Sequence, residues 1–148
     1  MSNSNTLRWV EAGIILLIVS SIGMLSGNIP TASLIFTLGI LGLAFLYLVH
    51  PFVRELPLKE PNKWDLVLWY VYPFVWHLCL IFGLVAYFGP DLLAVPIYYS
   101  GGVLFILSLV IGIPLLSKAE SWSQVAFYTG ILFRTFIFSL FLNYFYLT

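Results

Sequence analysis

The sequence predicts an all-α, polytopic integral membrane protein with five transmembrane helices in one bundle, N-terminus inside and C-terminus outside. Three observations lead there. Hydrophobic residues make up 61% of the chain and charged residues 8%, against about 45–50% and about 25% in soluble domains. A mean hydropathy of +1.04 leaves too little polar surface to cover a water-soluble globule. Finally, five apolar stretches reach the roughly 20 residues that cross a hydrocarbon core of roughly 30 Å, and basic residues collect between them.

The first span covers residues 7–26 and ends in the turn sequence Gly27-Asn28-Ile29-Pro30. The second covers 31–50 and is expected to stop at Pro51. The polar segment that follows, Arg54 to Lys63, contains Pro57 and Pro61, which forbid helix continuation. A third span, 64–88, ends at Gly89-Pro90-Asp91. Pro73 removes a backbone donor inside it, frees the carbonyl of Trp69 and is expected to kink the helix. The fourth span covers 93–116, and after Ser117-Lys118-Ala119-Glu120-Ser121 the fifth covers 122–147. Loops this short make consecutive helices antiparallel neighbours. Residues 1–148 therefore read as a single transmembrane domain with almost no extramembrane mass.

Orientation follows from the basic residues. Arg8, Arg54, Lys59, Lys63 and Lys118 all fall on the side of the N-terminal tail and of the second and fourth loops. The other side receives no lysine or arginine, so the first side is cytoplasmic. Trp9, Trp64, Trp69 and Trp122 read as an aromatic belt at the inner interface, with Tyr87, Tyr144 and Tyr146 at the outer one. The first span is not expected to be a cleaved signal: Glu11 interrupts the basic region, and the second span starts too soon for an exported chain. Zero net charge excludes a nucleic-acid footprint. The single cysteine, Cys79, excludes an intrachain disulfide, and no Asn-x-Ser/Thr sequon occurs.

Arg134 is the charge that needs an explanation. It lies about 11 residues into the fifth span, about 16–18 Å from the inner surface at 1.5 Å per residue. Its insertion costs about 2.5–3.5 kcal/mol, while the Leu, Ile, Val and Phe residues of the same helix return about 4–8 kcal/mol. The helix still inserts, but Arg134 needs a partner. Side chains lean toward the helix N-terminus, so Arg134 reaches back past Gly130 toward Glu11, one turn inside the first span. A backbone carbonyl or a lipid phosphate is the alternative partner. Two roles remain open: a packing and topology anchor that snorkels inward, or a substrate or anion contact in a central cavity.

His77 lies mid-span, four residues after Pro73, where it either hydrogen-bonds across the bundle or serves a proton path. His50 sits at the inner end of the second span, too far in depth to share a haem with His77, and Cys79 points away from His77 on the helix. No catalytic residue, metal ligand set or cofactor is expected, since no nucleophile elbow, phosphate loop or ligand motif occurs. Gly23-x-x-x-Gly27 and Ser108-x-x-x-Gly112, with Gly39, Gly42, Gly101 and Gly102, are spacings that let helices approach closely. A shift of 62 residues sets Gly27 on Gly89, Gly39 on Gly101 and Ile35-Phe36 on Ile97-Tyr98, which fits either a duplicated hairpin or a chance alignment of Leu/Gly-rich spans.

The stretch Gly23-Met24-Leu25-Ser26-Gly27-Asn28-Ile29-Pro30-Thr31-Ala32-Ser33-Leu34-Ile35-Phe36-Thr37-Leu38-Gly39 resembles a helical hairpin of Bacteroidota inner-membrane proteins such as the gliding-motility motor subunit. The resemblance covers about residues 23–47 and implies a tight Pro-x-Ala-Ser-Leu turn leading into a Thr-x-Gly helix. The motor's buried acid, expected soon after that glycine, is absent from Ile40-Leu41-Gly42-Leu43-Ala44, so the resemblance implies the hairpin and not the motor. The functional expectation is a small non-enzymatic subunit or scaffold of a larger assembly in a bacterial cytoplasmic membrane. It would contact the bilayer and, through Gly-rich faces, a protein partner or a second copy. The alternative is a small transporter or channel component with Arg134 and His77 lining a polar path, and Glu11 as their companion.

Overall fold

The computed structural model describes residues 3–89 and 94–147. All regular structure among them is helical, and five helices are long and apolar enough to cross a membrane. They are α1 (Asn3–Ser26), α2 (Ala32–Val53), α3 (Lys63–Phe88), α4 (Ala94–Ser117) and α5 (Trp122–Leu147). α1 packs on α2, α2 on the second half of α3, and α4 on α5, while α3 also touches α4 and α5. One end of the bundle therefore collects the starts of α1, α3 and α5 and the ends of α2 and α4.

The α1–α2 turn is fixed by its backbone. Asn28 takes φ 56°, a left-handed value that Asn adopts more readily than most residues. Its N–H donates to Leu25 O at 3.0 Å, and the Ile29 N–H donates to Met24 O at 3.1 Å. These two bonds form a Schellman closure with Asn at the usual glycine position. α2 then lies against α1 with Ile18, fully buried, opposite Gly39. A Cβ on Gly39 would fall 2.6 Å from Ile18 Cγ1, so this close approach requires glycine. At Gly112, between α4 and α5, a Cβ would meet Leu132 Cδ2 at 2.9 Å, a contact that the flexible end of the leucine can relieve by shifting. Gly23 and Gly102, by contrast, have nothing within 4 Å, so those glycines do not tighten the bundle.

α2 does not stop at Pro51 as expected. It continues to Val53, and the Arg54 N–H closes the last turn on His50 O at 3.1 Å. A proline one turn from the helix end removes only the bond to Tyr47 O, which the remaining turn tolerates. The consequence is large, because Phe36, Ile40, Leu43, Tyr47, His50 and Arg54 follow one another at alternating steps of four and three. That stripe is the buried face of α2.

α3 opens with a capping box: the Asn62 side chain accepts from Trp64 and Asp65 N–H, and the Asp65 carboxylate accepts from the Asn62 N–H. Val67–Val71 is then wound as a π-turn, with the Tyr72 N–H reaching back five residues to Val67 O. The wide turn sits just before Pro73, where the helix lacks a donor. Trp69 lies within this turn and is buried at 8% exposure, packed on His50 and Phe127. It belongs to the core and not to an interfacial belt. Trp9, Trp64 and Trp122 are exposed, Tyr87 packs on Phe36, and the side chains of Tyr144 and Tyr146 lie outside the described residues.

Two clusters make the core. The larger runs through Phe36, Ile40, Tyr47, Trp76, Leu80 and Phe138, with Phe138 meeting Tyr47 and Trp76 at ring-centroid distances of 5.1 and 5.0 Å. The smaller joins Leu58, Leu68, Trp69, Phe127, Tyr128 and Ile131 at the end where α3 and α5 begin. Of the turns matched by the 62-residue self-alignment, Asn28 is left-handed and its counterpart Pro90 lies outside the described residues, as do residues 91–93.

Candidate functional site

Glu11 and Arg134 meet. Arg134 Nε donates to Glu11 Oε1 at 2.6 Å and its Nη2 to Oε2 at 3.0 Å, a bidentate fork between α5 and α1. Gly130, one turn before Arg134, makes room for the guanidinium: a Cβ there would stand 3.1 Å from Arg134 Nη1.

A second arginine shares the same carboxylate. Arg54, which the sequence reading sets in a polar loop, is buried, and its Nη1 and Nη2 both donate to Glu11 Oε2 at 3.1 Å. The Tyr47 hydroxyl donates to Glu11 Oε1. Three elements therefore converge on a single carboxylate: Glu11 from α1, Tyr47 and Arg54 from α2, and Arg134 from α5. A carboxylate offers about four lone-pair directions, and here they are filled by donors. Glu11 is thus a fully engaged acceptor and not a poised base.

The formal balance of this group is two cations to one anion. Glu11 and Arg54 side chains are 5% and 6% exposed, and Arg134 is 27% exposed. Such a cluster persists only if each charge stays hydrogen-bonded, since breaking a buried pair costs about 3–5 kcal/mol. Arg134 Nη1, bonded to neither Glu11 oxygen, lies beside Gly130, and both residues line the adjoining cavity.

That cavity, about 330 Å³, opens at the same end of the bundle between α3 and α5. Its floor includes Tyr47, His50, Arg54, Trp69 and Ile131, all buried, and its rim carries the exposed Arg8 and Glu55. His50 stacks near Tyr47 and sits 4.5 Å by ring centroid from Trp69. Its Nδ1 is buried with no hydrogen-bond partner.

His77 stands apart. Its Nδ1 pairs with Ala44 O at 2.8 Å, tying α3 to α2, and it is not among the residues that line the cavity. Cys79 is partly buried against the larger core cluster. Among the described residues no group of three His, Cys, Asp or Glu side chains is placed to hold a metal.

Sequence reasoning misses Tyr47, His50 and Arg54 in this neighbourhood, although the four–three spacing from Phe36 through Arg54 carries the signal. It also misses a second buried carboxylate. Asp65 is 1% exposed and accepts from Tyr128 OH at 2.7 Å in addition to its capping bond, which joins the start of α3 to α5. Glu11 and Asp65 are thus the two buried carboxylates among the described residues.

Against known protein families, curated proteins and solved structures, the chain shows no match in any of the three.

Proposed function

We propose that this chain is a non-enzymatic multi-pass membrane protein of a bacterial cytoplasmic membrane, N-terminus inside and C-terminus outside, acting as a subunit or scaffold of a larger assembly. The observation that carries this reading is the outer face of α1. Gly13 and Gly23 are exposed with nothing within 4 Å, and with the exposed Ser20 they lie within about 80° around the helix. Small residues on an open face let another helix approach closely. The exposed apolar residues around them, such as Leu16, Leu17 and Val19, suit a lipid or helical neighbour equally. Meanwhile the charged groups at the inner end are bonded to one another, in the manner of a clamp that holds α1, α2 and α5 together. A transporter path through Arg134 and His77 has less in its favour, because His77 is engaged with Ala44 away from the cavity.

Purification in mild detergent tests the reading. A stoichiometric partner or a stable homo-oligomer is expected, lost in Gly23→Ile while the fold of the chain persists. A monomer alone refutes it. Orientation is tested separately on a Cys79→Ala background: a cysteine placed at Asn28 should label from outside and one at Lys59 should not, and the reverse pattern would overturn the assignment.

A further inference from the structure

The cavity between α3 and α5 has a charge and a shape that the subunit reading does not use. Three guanidiniums, those of Arg8, Arg54 and Arg134, surround it, against two carboxylates, Glu11 and Glu55, leaving one positive charge unbalanced. Glu11 occupies Nε and Nη2 of Arg134 and one hydrogen on each Nη of Arg54. Each guanidinium has five N–H donors, so both arginines keep donors to spare, and Arg8 stands exposed at the rim. His50 adds an independent observation. It is 7% exposed, lines the floor, and its Nδ1 has no hydrogen-bond partner among the described residues. A buried ring nitrogen left unpaired is costly, a cost that an acceptor or donor arriving in the cavity would remove.

The remaining wall is apolar: Leu68, Trp69 and Pro73 from α3, and Phe127 and Ile131 from α5. Guanidiniums recognise oxyanions of phosphate through paired donors, and a volume of about 330 Å³ holds a small headgroup with the start of its apolar body. From these features together we propose that this cavity binds the phosphate headgroup of an anionic amphiphile. The phosphate would face Arg8, the spare donors of Arg54 and Arg134, and His50, with the apolar part along Trp69, Phe127 and Ile131. The site is separate from the outer face of α1, so either proposal can fail without the other.

The experiment uses the purified full chain in detergent, with bound lipid counted by native mass spectrometry. The probes are dioctanoyl phosphatidylglycerol, dioctanoyl phosphatidylcholine and inorganic phosphate. One phosphatidylglycerol per chain is expected, bound about tenfold more tightly than phosphatidylcholine, as one unbalanced charge implies. Arg8→Gln, which removes a rim charge, and Ala126→Phe, which fills the cavity from an exposed position, should each weaken it by about tenfold with unchanged elution. His50→Phe should weaken binding too, yet leave the lipid-free protein no less heat-stable, because it deletes an unpaired buried nitrogen. Equal binding of the two lipids, or folded Arg8→Gln and Ala126→Phe variants that bind like wild type, would overturn the proposal. Inorganic phosphate binding as tightly as phosphatidylglycerol would assign the site to the free anion and overturn its lipid character.

Discussion

Replacing Glu11 by Gln removes the one negative charge that two arginines share, and turns one of its two accepting oxygens into a donor, while conserving its shape. Arg54, 6% exposed, then loses its counter-charge while almost wholly buried, whereas Arg134, 27% exposed, keeps more access to solvent and to the cavity that both residues line. Loss of one partner from a buried pair costs about 3–5 kcal/mol, and the partial freedom of Arg134 places this case near the lower end, about 3 kcal/mol. For a chain of this size each kcal/mol lowers the melting temperature by about 2–4 °C, so a fall of roughly 6–12 °C is expected. Thermal unfolding in detergent, followed by near-ultraviolet circular dichroism, reads it. The decisive variant is the double one. Glu11→Gln alone leaves two cations facing each other, but Glu11→Gln with Arg134→Gln leaves one, so the double variant should be less unstable than the two single losses together by about 0.5–3 kcal/mol. A single variant within about 1 kcal/mol of wild type, or strict additivity in the double, would refute the shared-carboxylate account.

Gly39→Ala should destabilise by about 1–3 kcal/mol, because the new Cβ falls 2.6 Å from buried Ile18 Cγ1. Gly23→Ala, with nothing within 4 Å, should leave the melting temperature unchanged or raise it slightly. Tyr128→Phe strips a donor from Asp65, which is 1% exposed, and should cost about 1–3 kcal/mol in chemical denaturation. His77→Phe removes one interhelical bond to Ala44 O and should cost about 0.6 kcal/mol, with a loss above about 2 kcal/mol excluding so modest a role.

How far the sequence reveals this structure depends on the residue. Five apolar stretches mark the helices, and depth along a helix is linear in residue number, which is why Arg134, Gly130 and Glu11 can be set within reach of one another before any fold is known. Rotation about the helix is harder to read. Arg54 looks like a loop cation because Pro51 and Pro57 bracket it, yet the helix runs on through Pro51 and carries Arg54 into the buried stripe of Tyr47 and His50. Trp69 looks interfacial because tryptophan favours that level, but the π-turn over Val67–Val71 rotates it onto His50 and Phe127. A one-residue widening of a helix leaves little trace in composition. Asp65 is hidden for a different reason: its partner Tyr128 lies 63 residues away, and nothing local marks the pairing.

The shared carboxylate also imposes an order on the chain as it is made. Glu11 appears first, and its partners follow 36, 43 and 123 residues later as Tyr47, Arg54 and Arg134. Until the last helix is made, the donors available to the early hairpin are the Tyr47 hydroxyl and the Arg54 guanidinium. The last helix then brings Arg134 to a carboxylate laid down 123 residues earlier. A chain cut short before α5 would therefore expose an unfinished acceptor, a mark by which incomplete copies differ from finished ones.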